Sequence, residues 1–204
     1  SGVGVREGVY LTDLLRNSNH RFPNNFNVSV KSLLDRFELN EKQSAYFGNN
    51  AKKIFEVLKP LHNLDDKFQE LLVVSSKLHS VGSSLKKKKK NDNAFEFILN
   101  GWNYDFQHTS RVIVAHTIKF SKKSLPKQSY IEEYKELLPN LETMQWLSFM
   151  IALNIAVNTD FSCPKVNYIL DDDILRLKLP NRSFLINSYI EKLELPKDLS
   201  LEIL

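Results

Sequence analysis

The sequence predicts a mainly α protein with a small α/β appendage at its C-terminus. Three observations carry that reading. Apolar residues recur at helical spacing over most of residues 30–157. Cap residues, prolines and glycines divide that pattern into about seven or eight pieces. Beyond it, Leu175-Arg176-Leu177-Lys178-Leu179 alternates with period two, as a half-buried strand does.

Val9 to Leu15 reads as a short helix after Gly8, and Phe22 to Phe26, with Pro23, as a loop. Ser29 is an expected N-cap for a helix over Val30 to Phe37. Asn40, with Gln43 three residues on, forms a capping box for the next helix, which ends near Pro60. Its apolar face is Ala45, Phe47, Ala51, Ile54, Phe55 and Leu58. Asp65 and Asp66 open a helix carrying Phe68, Leu71, Leu72, Val74 and Leu78, and Gly82 ends or bends it. Lys86 to Asn93 reads as a charged loop, followed by an amphipathic helix from Ala94 to Leu99 that stops at Asn100-Gly101. Phe106 to Phe120 and Tyr130 to Leu138 are helical, with a break at Pro126. Leu141 to Val157 is the most apolar helix and the expected centre of the core. Two strands then flank the acidic turn Asp171-Asp172-Asp173, Phe184 to Leu193 fits helix or strand, and Leu199 to Ile203 reads as a last strand.

The 204 residues suffice for one large domain, or one domain and an appendage. The net charge of +4 is local. Without Lys86 to Lys90 the 28 basic residues fall to 23 against 24 acidic ones, a net of −1. The remainder is therefore no general polyanion surface. A single cysteine, Cys163, excludes an internal disulfide framework and fits a cytoplasmic setting. The longest apolar run, Trp146 to Val157, is interrupted by Ser148 and Asn154 and is too short to span a bilayer, so no membrane is expected. No signal peptide is visible. The chain opens on Ser1-Gly2 without Met, which raises the expectation that it is a piece of something longer.

Leu78-His79-Ser80-Val81-Gly82 sits at a predicted helix end. A His-Asp pair at such a place clamps divalent ions, as in helical metal phosphohydrolases, because adjacent imidazole and carboxylate reach the same ion. Ser80 stands in place of the acid and brings no charge. His20, His62, His108 and His116 show no ligand spacing with His79. The reading favoured here is a partly buried His79 bonded to a backbone carbonyl or a neighbouring side chain, with no metal held at His79-Ser80. Lys86, Lys87, Lys88, Lys89 and Lys90 read either as a solvated loop or as a grip for a polyanion. No aromatic residue interleaves the run, which argues against nucleic acid. Asp171 to Asp173 lacks the glycine and distal glutamate of a calcium loop. Six glycines and no Gly-rich loop speak against a nucleotide cradle.

These motifs, in this order, resemble one family. Gly4-Val5-Arg6-Glu7-Gly8 is similar to the G-[LV]-R-E-G motif that closes the actin-like part of the Ppx/GppA phosphatases, the exopolyphosphatases and guanosine pentaphosphate phosphohydrolases. Leu61-His62-Asn63-Leu64 resembles the family's L-H-x-L, and Leu78 to Gly82 its L-H-[DE]-[IV]-G. Leu153 to Asp160 sits where the family has an A-x-x-L-D-like helix end. The resemblance implies three parts: residues 1–10 as the tail end of an absent actin-like domain, 11–160 as an HD-like helical domain, and 161–204 as a small α/β subdomain. Three departures stand out. Ser80 replaces the acid, the lysine run replaces a His-rich loop, and a later R-Y-H-like helix end reads Ile118-Lys119-Phe120-Ser121.

The family's catalytic residues lie upstream, so the resemblance implies no catalytic residue here and no cofactor in this fragment. It implies Mg²⁺ in the absent catalytic domains, with polyphosphate or pppGpp as the substrate of the full-length protein. It also implies a possible homodimer. Two other readings stay open: a residual metal phosphohydrolase using His79 with His62 or His116, and a pure dimerisation or interaction module.

Overall fold

The structure is a computed structural model that describes residues 26–37, 39–81, 90–101, 107–159, 165–180 and 183–204. Arg6-Glu7-Gly8, the helix expected over Val9 to Leu15, Gly82, Lys86 to Lys89, Trp102 to Tyr104 and Cys163 lie outside the described residues. The helices are α1 (Phe26–Arg36), α2 (Glu41–His62), α3 (Asp66–Leu78), α4 (Lys90–Gly101), α5 (His108–Lys119), α6 (Gln128–Ile131), α7 (Leu141–Ala156) and α8 (Phe184–Ile190). The strands are β1 (Asn167–Asp171), β2 (Ile174–Lys178) and β3 (Ser200–Ile203). The mainly α architecture with a small terminal sheet is as the sequence predicts.

Local chemistry sets most boundaries. The Asn40 side chain accepts the Gln43 N–H at 3.0 Å and caps α2, and Asn140 does the same for Thr143 and α7 at 2.8 Å. Several expected boundaries are corrected. α1 begins at Phe26, so Ser29 lies inside the helix and is not its cap. Burial of Val30, Leu33 and Leu34 on one face outweighs the weak preference of serine for a cap. α2 continues through Pro60 to His62. Pro60 removes one amide, and Asn63 closes the helix in the left-handed region (φ 49°), donating its N–H to the Lys59 carbonyl. α3 stops at Leu78, ahead of Gly82. The stretch from Tyr130 to Leu138 is not one helix: α6 passes into a 3₁₀ turn at Glu132–Tyr134 and then into turns.

The correction that bears on function is at α4. Lys90 to Asn93 belong to the helix and not to a charged loop. The Asn91 amide donates to the Ile118 carbonyl at 3.0 Å and to the Ser121 hydroxyl at 3.2 Å. Asp92 supplies negative charge in the first turn, where the helix dipole favours it. Buried Ala94, Phe95 and Ile98 hold the inner face. These contacts offset the repulsion among adjacent lysines.

The core centres on α7, which packs against α2, α3, α5 and α8. Met144, Leu147, Phe149, Met150, Ile151 and Leu153 are all fully buried or nearly so. A helix apolar all round is stable only when enclosed, and each such side chain contributes about 1.5–3 kcal/mol by leaving water. β1 and β2 form an antiparallel hairpin across Asp172-Asp173, and Asp172 takes the left-handed conformation (φ 52°) that a short polar side chain tolerates. β3 pairs parallel to β2, with α8 in the connection. Leu175 and Leu177 face inward beside Tyr168, as the alternation predicts. The sheet residues join the same core as the helices.

Candidate functional site

His79 follows the last residue of α3 and is 8% exposed. Its Nδ1–H donates to the Ser76 carbonyl at 2.7 Å, and its ring packs on Phe47 at 4.2 Å between centroids. Burial pushes its pKa down to about 4, and the Lys90 charge pushes the same way. His79 is therefore neutral at pH 7. Lys90, the last of the five lysines, opens α4, where its charge acts on the His79 ring, and burial lowers its own pKa.

His62 is bonded at both ring nitrogens. Leu64 N–H donates to Nδ1 at 2.9 Å, which fixes the proton on Nε2, and Nε2–H donates to the Phe55 carbonyl at 3.0 Å. No lone pair remains for an ion. His62 packs on Phe55 and His79 on Phe47, eight residues apart along α2. That is about 12 Å of helix axis. His116 donates from Nδ1 to the Val112 carbonyl at 2.8 Å and sits among Phe95, Phe120 and Tyr134. Its pKa is also pushed down to about 4 by burial. Among the described residues no three His, Cys, Asp or Glu side chains are grouped to hold a metal ion. The donor set at His79-Ser80 does not fit one. His20 lies outside the described residues, and His108 is exposed, accepting from Arg111 at 3.0 Å.

The structure brings together features far apart in sequence. Asn91 ties the start of α4 to the end of α5, so Lys90, His79 and the Ile118 to Ser121 stretch meet at one corner. A cleft of about 530 Å³ opens there, lined by Lys119, Phe120, Lys122, Lys123, Ser124 and Asp92 among others. Lys119 and Lys123 rest their ammonium groups over the rings of Phe95 at 4.0 Å and Tyr189 at 4.8 Å. Among the described residues none of Lys119, Lys122 and Lys123 forms an ion pair. Reading by motif missed these three lysines. Their signal was present as Lys119 and Lys122-Lys123 around Ser121, but no local pattern shows that they line one cleft with Asp92 of α4. Asp171 serves structure: it and Glu202 flank Arg176, whose Nε reaches Glu202 at 2.9 Å.

The fold and this corner define a mainly helical domain, closed by a small sheet, with cations gathered where three helix ends meet. Over residues 27–198 the chain matches the family described as Ppx/GppA phosphatase, domain III. The chain belongs to the Ppx/GppA phosphatase family and carries its C-terminal domain. No curated protein matches it closely enough to add to that assignment. Among the described residues no helix is long and apolar enough to cross a membrane.

Proposed function

We propose that this domain is a non-catalytic part of a Ppx/GppA phosphatase and helps hold an anionic substrate, polyphosphate or pppGpp. Release of the terminal phosphate then belongs to the upstream domains and their Mg²⁺. One observation carries the reading: the lysine run ends at Lys90 in a corner already occupied by Lys119, Lys122 and Lys123. Clustered cations raise the local concentration of a phosphate chain and release its counterions on contact. The residual-phosphohydrolase reading is disfavoured by the same geometry. His62 has no free lone pair, and His79 is buried with its Nδ1–H held by the Ser76 carbonyl and feels the Lys90 charge, which opposes a metal ion.

Binding of medium-chain linear polyphosphate at low salt tests this reading. Replacing Lys86 to Lys90 with Gln is expected to weaken binding by about tenfold or more. The dependence of affinity on salt becomes shallower in the same variant, because fewer counterions are released. Equal affinity and equal salt dependence in the two proteins would remove the lysine run from the proposal.

A further inference from the structure

We infer that the cleft bounded by Lys119, Lys122 and Lys123 is a subsite for a chain of adjacent phosphates, distinct from the lysine run. The inference rests on the polyanion reading above and assigns it a second set of residues. Three lysines line this cleft against one carboxylate, Asp92. Cations gathered without paired acids repel one another, and a ligand with closely spaced negative charges relieves that repulsion.

The lysines are held in place. Lys119 and Lys123 lie over ring faces contributed by α4 and α8, which restricts their rotamers and consumes none of their N–H donors in conventional hydrogen bonds. The lip that carries them is tied down on both sides. Asn91 binds Ile118 and Ser121 from α4. Glu194 accepts the Leu125 N–H at 2.9 Å and donates its own N–H to the Lys123 carbonyl at 2.7 Å. The 119–126 lip that carries the three lysines is thus fixed against α4 and Glu194, and a preformed site loses less entropy on binding.

The aromatic residues select the ligand class. Phe95 and Phe120 are buried, and Lys123 lies over one face of Tyr189, which stands outside the cleft lining. Phe120, the ring that lines the cleft, offers no free face for a base. A phosphate chain without bases fits the cleft better than a single-stranded nucleic acid.

Titration calorimetry of the whole chain with inorganic tripolyphosphate tests this. Combining Lys119→Gln, Lys122→Gln and Lys123→Gln is expected to weaken binding about tenfold. The five-lysine variant is expected to keep most of its affinity for so short a probe. Asp92→Asn removes the opposing charge and is expected to tighten binding about twofold to threefold. Thermal midpoints confirm that each variant is folded. If wild-type protein binds tripolyphosphate and the triple variant binds it equally well, the subsite is overturned and the lysine-run reading stands. If wild-type protein binds neither tripolyphosphate nor polyphosphate, both fall. Tighter binding of single-stranded RNA than of polyphosphate with a matched number of phosphates would overturn the ligand class.

Discussion

Asn154→Ala is expected to destabilise the domain by about 3 kcal/mol. Asn154 is 0% exposed in the middle of the most apolar helix. Its Oδ1 accepts from Asn50 Nδ2 at 2.8 Å, and its Nδ2 donates to the Phe47 carbonyl at 2.9 Å. Asn50 Nδ2 also donates to the Tyr168 hydroxyl at 2.8 Å, and burial raises the Tyr168 pKa so that the phenol stays neutral. This clasp joins α2, α7 and β1, and Phe47 carries it to the floor under His79. Alanine at 154 removes two hydrogen bonds, weakens the satisfaction of Asn50 and leaves a void. Each buried unsatisfied group costs about 1–3 kcal/mol. Guanidinium denaturation measures the loss. A change below about 0.5 kcal/mol would show that water or repacking replaces the clasp. Asn50→Ala combined with Asn154→Ala is expected to cost less than the two single changes added, because both break the same bond.

The second large effect is on acid stability. His79 and His116 have folded pKa values near 4, lowered chiefly by burial, against 6.5 for a free imidazole. His62 is shifted in the same direction. Above pH 6.5 both folded and unfolded chains carry these rings neutral, and the stability is fully present. Between pH 6.5 and 4 the unfolded chain takes up protons that the folded chain refuses, so stability falls as pH falls. Each ring removes at most about 3 kcal/mol over that window, the linkage equivalent of a shift of some two to three pH units. Denaturation at a series of pH values from 7.5 to 4.5 measures the slope. His79→Gln with His116→Gln is expected to be less stable at pH 7.5 and to lose less on acidification. An unchanged slope in that variant would place the acid sensitivity elsewhere.

What could be read from the sequence follows from the range of the interactions. The Asn40 cap, the enclosed helix from Leu141, and the alternation at Leu175 to Leu179 are written within a few residues, and each appears where predicted. The acidic turn is a hairpin, as expected. The failures are long-range. Asn154 reads in the sequence only as an interruption of an apolar run. Its partners Asn50 and Tyr168 lie 104 residues before it and beyond the next loop. Lys90 reads as the end of a repelling run, because the Asn91 contact that draws it into a helix spans 27 residues. Lys119, Lys122 and Lys123 acquire meaning only through Asp92, Tyr189 and Glu194. His79-Ser80 was visible as a changed metal motif. Its bond to the Ser76 carbonyl and the Lys90 charge acting on it become visible only in the fold.

On the proposed function, this domain holds phosphate chains and does not cleave them. Phosphate release by the purified chain with Mg²⁺, from polyphosphate and from pppGpp, tests it most directly. The expected result is release no faster than the buffer blank, together with measurable polyphosphate binding by the same preparation. Turnover at the rate of a complete Ppx/GppA phosphatase, abolished by His79→Ala, would contradict it and place a working metal site at His79.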